Sequence, residues 1–167
     1  ARAEAALRAE PTARAVLVTH VDTASSAKND IAAIRALMDR LGHPGLLMVD
    51  CIASLGCDEF RMDDWGVDVM VAASQKGLMT PPGLAFVYFS DKARAVAKTS
   101  DLRTPYWDWE PRTDARFFYE NWFGTAPTHH LFGLQEALAM IHEEGLPHVW
   151  ARHARLARAV WAASEAW

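Results

Sequence analysis

The sequence predicts an α/β fold in which a mostly parallel sheet is flanked by helices. Short apolar runs rich in β-branched residues recur in the first half of the chain, and amphipathic helical patterns lie between and after them. The composition agrees with this prediction, because 51% hydrophobic residues in a chain of 167 are enough to fill one packed core.

The first elements form a strand, a helix and a second strand. Residues 15–19 (AVLVT) are a continuous apolar run, typical of a strand that is buried on both faces. Apolar residues at three- and four-residue spacing over 31–41, with Asn29 or Asp30 as N-cap, predict an amphipathic helix. Residues 46–49 (LLMV) form the next buried strand, so the order favours a crossover connection and parallel pairing.

The later apolar runs predict two further strands and a helical C-terminal part. Strands are predicted at residues 67–72 and 84–89, with a loop over 74–82 between them. Residues 100–128 are rich in aromatic and charged side chains with little periodicity, which indicates a long ordered segment over a surface. Two helical patterns follow, and Gly145 separates them.

Charge and hydropathy argue against several classes of protein. The net charge is -4, and no run of Lys and Arg is long enough to follow a nucleic-acid backbone. The apolar runs are too short to span a membrane, and the N-terminus lacks the pattern of a secretory signal. Cys51 and Cys57 fit a reducing compartment in which both pack as free thiols. We therefore predict a soluble cytoplasmic protein, and helical patterns at both ends suggest a fragment of a longer one.

Polar residues follow three of the predicted strands, at the point where each strand ends. They are residues 20–23 (HVDT), Asp50, and residues 74–76 (SQK). The carboxyl ends of parallel strands form the usual ligand site of such sheets. A lysine amine that bonds to an aldehyde and a carboxylate that keeps a pyridine nitrogen protonated are the two charges that pyridoxal phosphate requires. Spacing alone leaves open that Asp50 caps a helix and that Lys76 is merely solvated.

Two segments resemble sequence blocks of the class V aminotransferases. They are residues 49–56 (VDCIASLG) and 74–83 (SQKGLMTPPG). The resemblance is greatest to the serine:glyoxylate and alanine:glyoxylate branch, with aspartate:glyoxylate enzymes also possible, and it continues through 60–68, 143–146 and 151–156. It implies a fold-type I pyridoxal-phosphate transferase, present here as a partial chain.

The resemblance also implies a division into domains and roles for the two charged residues. Residues 1–145 would be part of the large cofactor-binding domain, and 146–167 the start of the small C-terminal domain. Lys76 would form the covalent link to pyridoxal phosphate, and Asp50 would pair with the ring nitrogen. Ile52 would lie against one face of the ring.

Three further residues match cofactor-binding positions of the family. Thr23 would approach the phenolic oxygen of the ring, and Gln75 would approach the phosphate. Thr125 would reach the phosphate bound by a neighbouring subunit, which implies a homodimer or tetramer with shared sites. Aromatic residues between 106 and 123 favour packing at that interface over stacking with nucleic-acid bases, because basic residues are not interleaved with them. Arg103 and Arg112, in the same long segment, are predicted to be solvated.

The sequence departs from the family pattern at two places. After His20 the family has a longer acid than Asp22 and a glycine near Ser26, which leaves the roles of Asp22 and Ser26 open. His129 and His130 follow Thr125, and we predict a capping or solvent-exposed role for them and no metal site.

The activity implied is transamination with glyoxylate as acceptor, giving glycine and a 2-keto acid. Serine is the favoured donor, followed by aspartate or alanine. Another class V enzyme, a cysteine desulfurase or a lyase, would use the same Lys76 and Asp50, although no cysteine-bearing mobile loop is evident. A non-catalytic dimeric relative is the other alternative, and the intact pair of residues counts against it.

Overall fold

A computed structural model of the chain describes residues 2–167 and contains a four-stranded sheet in the order β1-β2-β3-β4. β1 pairs with β2 and β2 with β3 in parallel, whereas β4 runs antiparallel to β3. The mostly parallel sheet predicted from the sequence is therefore confirmed. The strands are β1 (Ala15–Thr19), β2 (Leu46–Asp50), β3 (Val69–Ala73) and β4 (Ala85–Phe89).

Six α-helices flank or follow the sheet in the described part of the chain. The N-cap of the second helix is Asp30, whose side chain accepts a hydrogen bond from the backbone N–H of Ala33 at 2.9 Å. The third helix was not predicted, since its seven Ala-rich and charged residues carry no apolar stripe. The helices are α1 (Arg2–Ala9), α2 (Ile31–Arg40), α3 (Asp91–Ala97), α4 (Glu110–Thr113), α5 (Thr128–Glu144) and α6 (Leu146–Ala166).

The main core lies between α2 and one face of the sheet. Part of the opposite face is left uncovered by residues 2–167, since Leu17 is 77% exposed and Val87 is 42% exposed. Within residues 2–167, β1 is covered on one face, whereas the predicted burial on both faces would need a second layer over Leu17. The most buried members of the core are Ile31, Met38, Leu47, Val49, Cys51 and Ala72.

A buried carboxylate joins the sheet to α3. Asp68 precedes β3 and is 5% exposed, and its side chain accepts hydrogen bonds from Leu47 N at 2.9 Å and Ser90 Oγ at 3.1 Å. Lys92 lies 3.4 Å away and supplies a compensating charge. Ser90 is also the N-cap of α3. Asp68 thus stabilises the end of the sheet remote from the strand ends described below.

The segment over 100–128 is ordered and largely irregular, as predicted. It contains α4 and a short 3₁₀ turn, Phe118–Asn121. Arg103 donates to the carbonyl of Lys98 at 2.8 Å, and Arg112 donates to Tyr106 O at 2.7 Å beneath the Tyr106 ring. Arg103 is exposed, as predicted, whereas Arg112 is half-buried, so its predicted solvation is wrong. Both side chains fasten the segment to backbone carbonyls. Within residues 2–167, no helix combines the length and hydropathy needed to cross a membrane.

Candidate active site

The register of the parallel strands brings the ends of β1 and β2 to one level, and β3 continues two residues further. Thr19 of β1 pairs with Asp50 of β2, and Asp50 pairs with Val71 of β3. Backbone hydrogen bonds continue past the strand ends, from His20 N to Asp50 O and from Cys51 N to Val71 O, both at 2.8 Å. The segments that follow the three strands are therefore neighbours, as the sequence predicted.

Asp50 is half-buried on the partly uncovered face of the sheet. It borders an open cavity of about 320 Å³ together with Thr19, Met48 and Val71. Its Oδ1 accepts a hydrogen bond from Ile52 N at 2.8 Å. Among the described residues Oδ2 has no hydrogen-bond partner, so Asp50 retains an acceptor for a ligand.

Lys76 lies on a loop that buried hydroxyl groups hold closed. Ser74 is fully buried, and its Oγ donates to Pro81 O at 2.8 Å and accepts from Leu84 N at 3.3 Å. Thr80 Oγ1 donates to Ser74 O at 3.0 Å. These bonds fix the ends of the loop, while Lys76 itself is exposed.

The ammonium group of Lys76 is not used for structure. Lys28 pairs with Asp58 at 2.8 Å and Lys92 pairs with Asp68 at 3.4 Å. Within the described chain, Lys76 has neither an ion pair nor a hydrogen bond from its side chain. An exposed lysine on a rigid loop, free of structural partners, fits a residue that binds a ligand.

The loop that carries Lys76 packs backbone to backbone against the turn that follows Asp50. A Cβ atom at Gly77 would lie 2.2 Å from Leu55 O and 2.8 Å from Cys57 Sγ. A Cβ atom at Gly56, where φ is +83°, would lie 3.1 Å from the carbonyl of Gly77. Only glycine allows this approach. The sequence did not reveal the contact, although a glycine directly after Lys76 was its signal.

The first turn of α5 also contacts the lysine loop. His130 Nε2 donates to Pro82 O at 3.2 Å. Gly83 adopts a φ of +149°, and a Cβ there would lie 2.5 Å from His130 Nε2. The predicted capping or solvent role is therefore wrong for His130, which fits over Gly83, whereas His129 is exposed.

Thr23 lies in a tight turn that Asp22 organises. The Asp22 carboxylate accepts hydrogen bonds from the hydroxyl of Ser25 and from its N–H at 3.0 Å, and these bonds hold the pKa of Asp22 below its ordinary value. Ser26 adopts a φ of +56°, in the left-handed region that glycine favours. The role left open for Asp22 is therefore that of a turn residue, and Ser26 takes a conformation that glycine favours.

Replacing Ser26 with glycine is expected to stabilise the protein. The substitution removes left-handed strain of roughly 1–2 kcal/mol, and the extra freedom of glycine in the unfolded chain offsets part of this gain. We expect the free energy of unfolding in urea to rise by about 0.5–1 kcal/mol. Ser26→Ala keeps the strain and is the matched control, so an equal gain for Ser26→Ala would contradict the explanation.

The other three residues predicted to bind the cofactor, Gln75, Ile52 and Thr125, lie in or near these segments. Gln75 is exposed beside Lys76, and Ile52 is half-buried two residues after Asp50. Thr125 is exposed in the stretch that leads into α5, after Gly124 with a φ of +151°. Their contacts with a cofactor remain predictions.

Cys51 and His20 are buried near the strand ends, and the sequence predicted the packing of Cys51 but not the contact made by His20. Cys51 is fully buried in the core, which confirms its predicted packing, and burial raises the pKa of its thiol to about 12. His20 is 1% exposed, and burial lowers the pKa of its imidazole. Its Nδ1 lies 2.9 Å from Ser54 Oγ. Sequence reasoning missed this contact, because 34 residues separate the partners.

The residues present fit pyridoxal phosphate. Asp50 offers a free carboxylate oxygen, and Lys76 offers an amine without a structural partner, on segments that touch through Gly56 and Gly77. A carboxylate and a lysine at the carboxyl ends of a mostly parallel sheet are typical of pyridoxal-phosphate-dependent transferases.

Comparison with known proteins identifies the family. The family model described as Aminotransferase class-V matches residues 2–163. The chain therefore belongs to the class V aminotransferases, a family of pyridoxal-phosphate enzymes.

Individual relatives agree with this assignment. The chain is 46% identical over 155 residues to L-aspartate--glyoxylate aminotransferase of Paracoccus denitrificans, covering 92% of this chain and 39% of that protein. It is 44% identical over 159 residues to serine--glyoxylate aminotransferase of Arabidopsis thaliana, covering 93% and 39%. The crystal structure of alanine--glyoxylate aminotransferase from Nostoc sp. matches with a TM-score of 0.84 at 27% identity, covering 95% and 42%. The chain thus spans about two fifths of the length of these relatives.

Proposed function

We propose that the full-length protein is a pyridoxal-phosphate-dependent aminotransferase that uses glyoxylate as amino acceptor and forms glycine and a 2-keto acid. The observation that carries the proposal is a free carboxylate oxygen on Asp50 and an unpaired amine on Lys76, on two segments that touch through Gly56 and Gly77. Relatives named for glyoxylate at 41–46% identity support the acceptor. They include both aspartate and serine enzymes, and we propose serine as donor, then aspartate or alanine.

Lys76 and Asp50, at the strand ends, would have different roles in the reaction. When bound, pyridoxal phosphate supplies an electron sink for the negative charge that develops at Cα of the amino acid. Lys76 would hold the cofactor at its aldehyde carbon and, once released, take the proton from substrate Cα onto Nζ. Asp50 would keep a proton on the ring nitrogen by accepting its hydrogen bond.

Other residues would bind and orient the cofactor. Ile52 would lie against the ring, Thr23 would bond the phenolic oxygen, and Gln75 would bond the phosphate. Thr125 would reach the phosphate held by the partner of a homodimer. Exposed aromatic side chains in the segment over 100–128, such as Trp107 at 76% and Phe118 at 68%, support an interface there.

We also propose the compartment and the domain division. Free Cys51 and Cys57 support a cytoplasmic location. The break at Gly145, between α5 and α6, supports residues 1–145 as part of the large domain and 146–167 as the start of the small one.

Cofactor binding and acceptor use are tested separately on the full-length protein. Incubation with pyridoxal phosphate should produce a visible absorption band, and borohydride should fix the cofactor to Lys76, as mass spectrometry of peptides would show. A colourless protein without an adduct would overturn the enzyme assignment. Assays of glycine formation from glyoxylate with serine, aspartate or alanine test the branch, and no glycine with any donor would overturn it.

Replacing Asp50 with asparagine should slow the reaction while leaving the fold intact. Asparagine has nearly the same shape but cannot stabilise a protonated ring nitrogen, so the electron sink weakens. We expect kcat to fall by roughly 10²-fold or more, within the range for removal of one electrostatic catalytic contact. Asp63→Asn, at an exposed acid, is the control. An Asp50→Asn enzyme with unchanged kcat would remove Asp50 from the mechanism.

A further inference from the structure

His20 is a polar ring at a place where packing alone would need an apolar one. It is 1% exposed, and its ring lies 5.6 Å from the ring of Phe60 and 6.0 Å from that of Trp65. An imidazole in such surroundings costs free energy unless its nitrogen atoms are hydrogen-bonded. Nδ1 meets Ser54 Oγ at 2.9 Å, and Ser54 is also 1% exposed. The buried polar contact therefore has a specific partner.

His20 holds both ends of the segment that contains Asp50. Its backbone N–H donates to Asp50 O at 2.8 Å, and its ring contacts Ser54 four residues later. Within the segment, Ser54 N donates to Cys51 O at 3.0 Å and Ile52 N donates to Asp50 Oδ1 at 2.8 Å. One residue at the end of β1 thus fixes the start and the end of the turn that follows β2.

The direction of the Asp50 carboxylate depends on this turn. Oδ1 is occupied by Ile52 N, so the position of Ile52 N determines where the free Oδ2 points. Ile52 lies between the two points at which His20 holds the turn. Loss of the contact between His20 and Ser54 would free the end of the turn at Ser54. The turn could then shift, and the Asp50 carboxylate would rotate with it.

We propose that His20 and Ser54 are positioning residues that set the direction of the Asp50 carboxylate toward the cofactor ring. The inference rests on the proposed function, since it concerns how Asp50 meets the ring nitrogen. Both side chains are buried and act through Asp50 rather than on the ring itself.

A double-mutant cycle on cofactor affinity tests this role in the full-length protein. The Kd for pyridoxal phosphate is measured by absorbance titration for the wild type, Ser54→Ala, Asp50→Asn and the double variant. We expect Ser54→Ala to weaken binding by roughly fivefold to tenfold, which is the size of one hydrogen bond between neutral groups. In the Asp50→Asn background the same change should weaken binding by less than about twofold, because the carboxylate is absent.

Ser90→Ala is the matched control for general loss of stability. Ser90 is a hydrogen-bonded serine that caps α3 and contacts Asp68, so its loss should lower the thermal midpoint without changing Kd. An equal weakening by Ser54→Ala in both Asp50 backgrounds would overturn the positioning role, and so would an unchanged Kd in the wild-type background.

A second variant covers the case in which Ser54→Ala does not fold. His20→Phe keeps an aromatic ring against Phe60 and Trp65 but removes Nδ1. We expect it, like Ser54→Ala, to weaken cofactor binding in the wild-type background and to have little effect in the Asp50→Asn background. The two proposals fail in different ways. Wild-type protein that binds no pyridoxal phosphate would overturn the proposed function and this inference with it. Binding that weakens with Asp50→Asn but not with Ser54→Ala or His20→Phe would overturn the inference alone.

Discussion

Replacing Lys76 with alanine is expected to abolish transamination by the full-length protein, with a loss of at least about 10³-fold in kcat. The reason is that the proposed mechanism uses one amine both to hold the cofactor and to move the Cα proton. No described residue near Lys76 on its loop offers a second amine, since the loop over 74–84 contains one lysine. Steady-state assays with serine and glyoxylate measure the effect.

The control for this substitution is Lys98→Ala, at another exposed lysine. Lys98 lies at the C-cap of α3, outside the loop over 74–84, so its replacement should leave kcat unchanged. The oligomeric state of Lys76→Ala, measured by size-exclusion chromatography, should match that of the wild type, because Lys76 has no structural partner in residues 2–167. An Lys76→Ala enzyme that retains its rate would exclude Lys76 from the chemistry.

Replacing Gly77 with alanine is expected to destabilise the protein by about 3 kcal/mol or more. The new methyl group would lie 2.2 Å from Leu55 O, and neither backbone can move without disturbing its hydrogen bonds. The turn after Asp50 and the lysine loop would have to separate. Urea unfolding measures the loss of stability, and activity should fall with it because Lys76 and Asp50 lose their relative positions.

Gly133→Ala separates this clash from a general effect of adding a methyl group. A Cβ at Gly133 would lie 3.9 Å from Thr80 Cγ2, an ordinary contact, and the position is inside α5. Alanine there should be neutral or stabilise by up to about 1 kcal/mol. If Gly77→Ala were as stable as Gly133→Ala, the backbone contact between the two loops would not exist as described.

The sequence predicted those parts of the fold that depend on local patterns. The apolar run over 15–19 and the stripe over 31–41 each carry their own periodicity, and β1 and α2 lie where they were expected. The antiparallel direction of β4 was not evident, because an apolar run such as 84–89 has the same pattern in either direction. α3 lacks an apolar stripe and was missed for that reason.

In the candidate site, too, local patterns predicted some features and missed others. Asp50 and Lys76 could be predicted as candidates because Asp50 ends a strand, Lys76 follows another, and neighbouring strands end at the same edge of a sheet. Their roles came from the resemblance to the class V aminotransferases, since spacing alone left them open. The contacts that hold them were invisible, because they join distant parts of the chain. Examples are His20 with Ser54, and His130 with the carbonyl of Pro82. No local pattern encodes such a pair, and only the folded chain brings the partners together.

The antiparallel pairing of β4 affects how Lys76 can move. In a parallel unit a loop leaves its strand and enters a crossover helix, so only one end is tied to the sheet. Here both ends of the lysine loop enter the β3–β4 ladder, and Ser74 N donates to Leu84 O at 3.1 Å. The backbone of Lys76 is therefore a fixed pivot, while its four-carbon side chain remains free to rotate. In the proposed mechanism the amine could therefore move from the cofactor aldehyde carbon to the Cα proton of the substrate without a rearrangement of the loop. The distance that it can move is limited by the length of the lysine side chain.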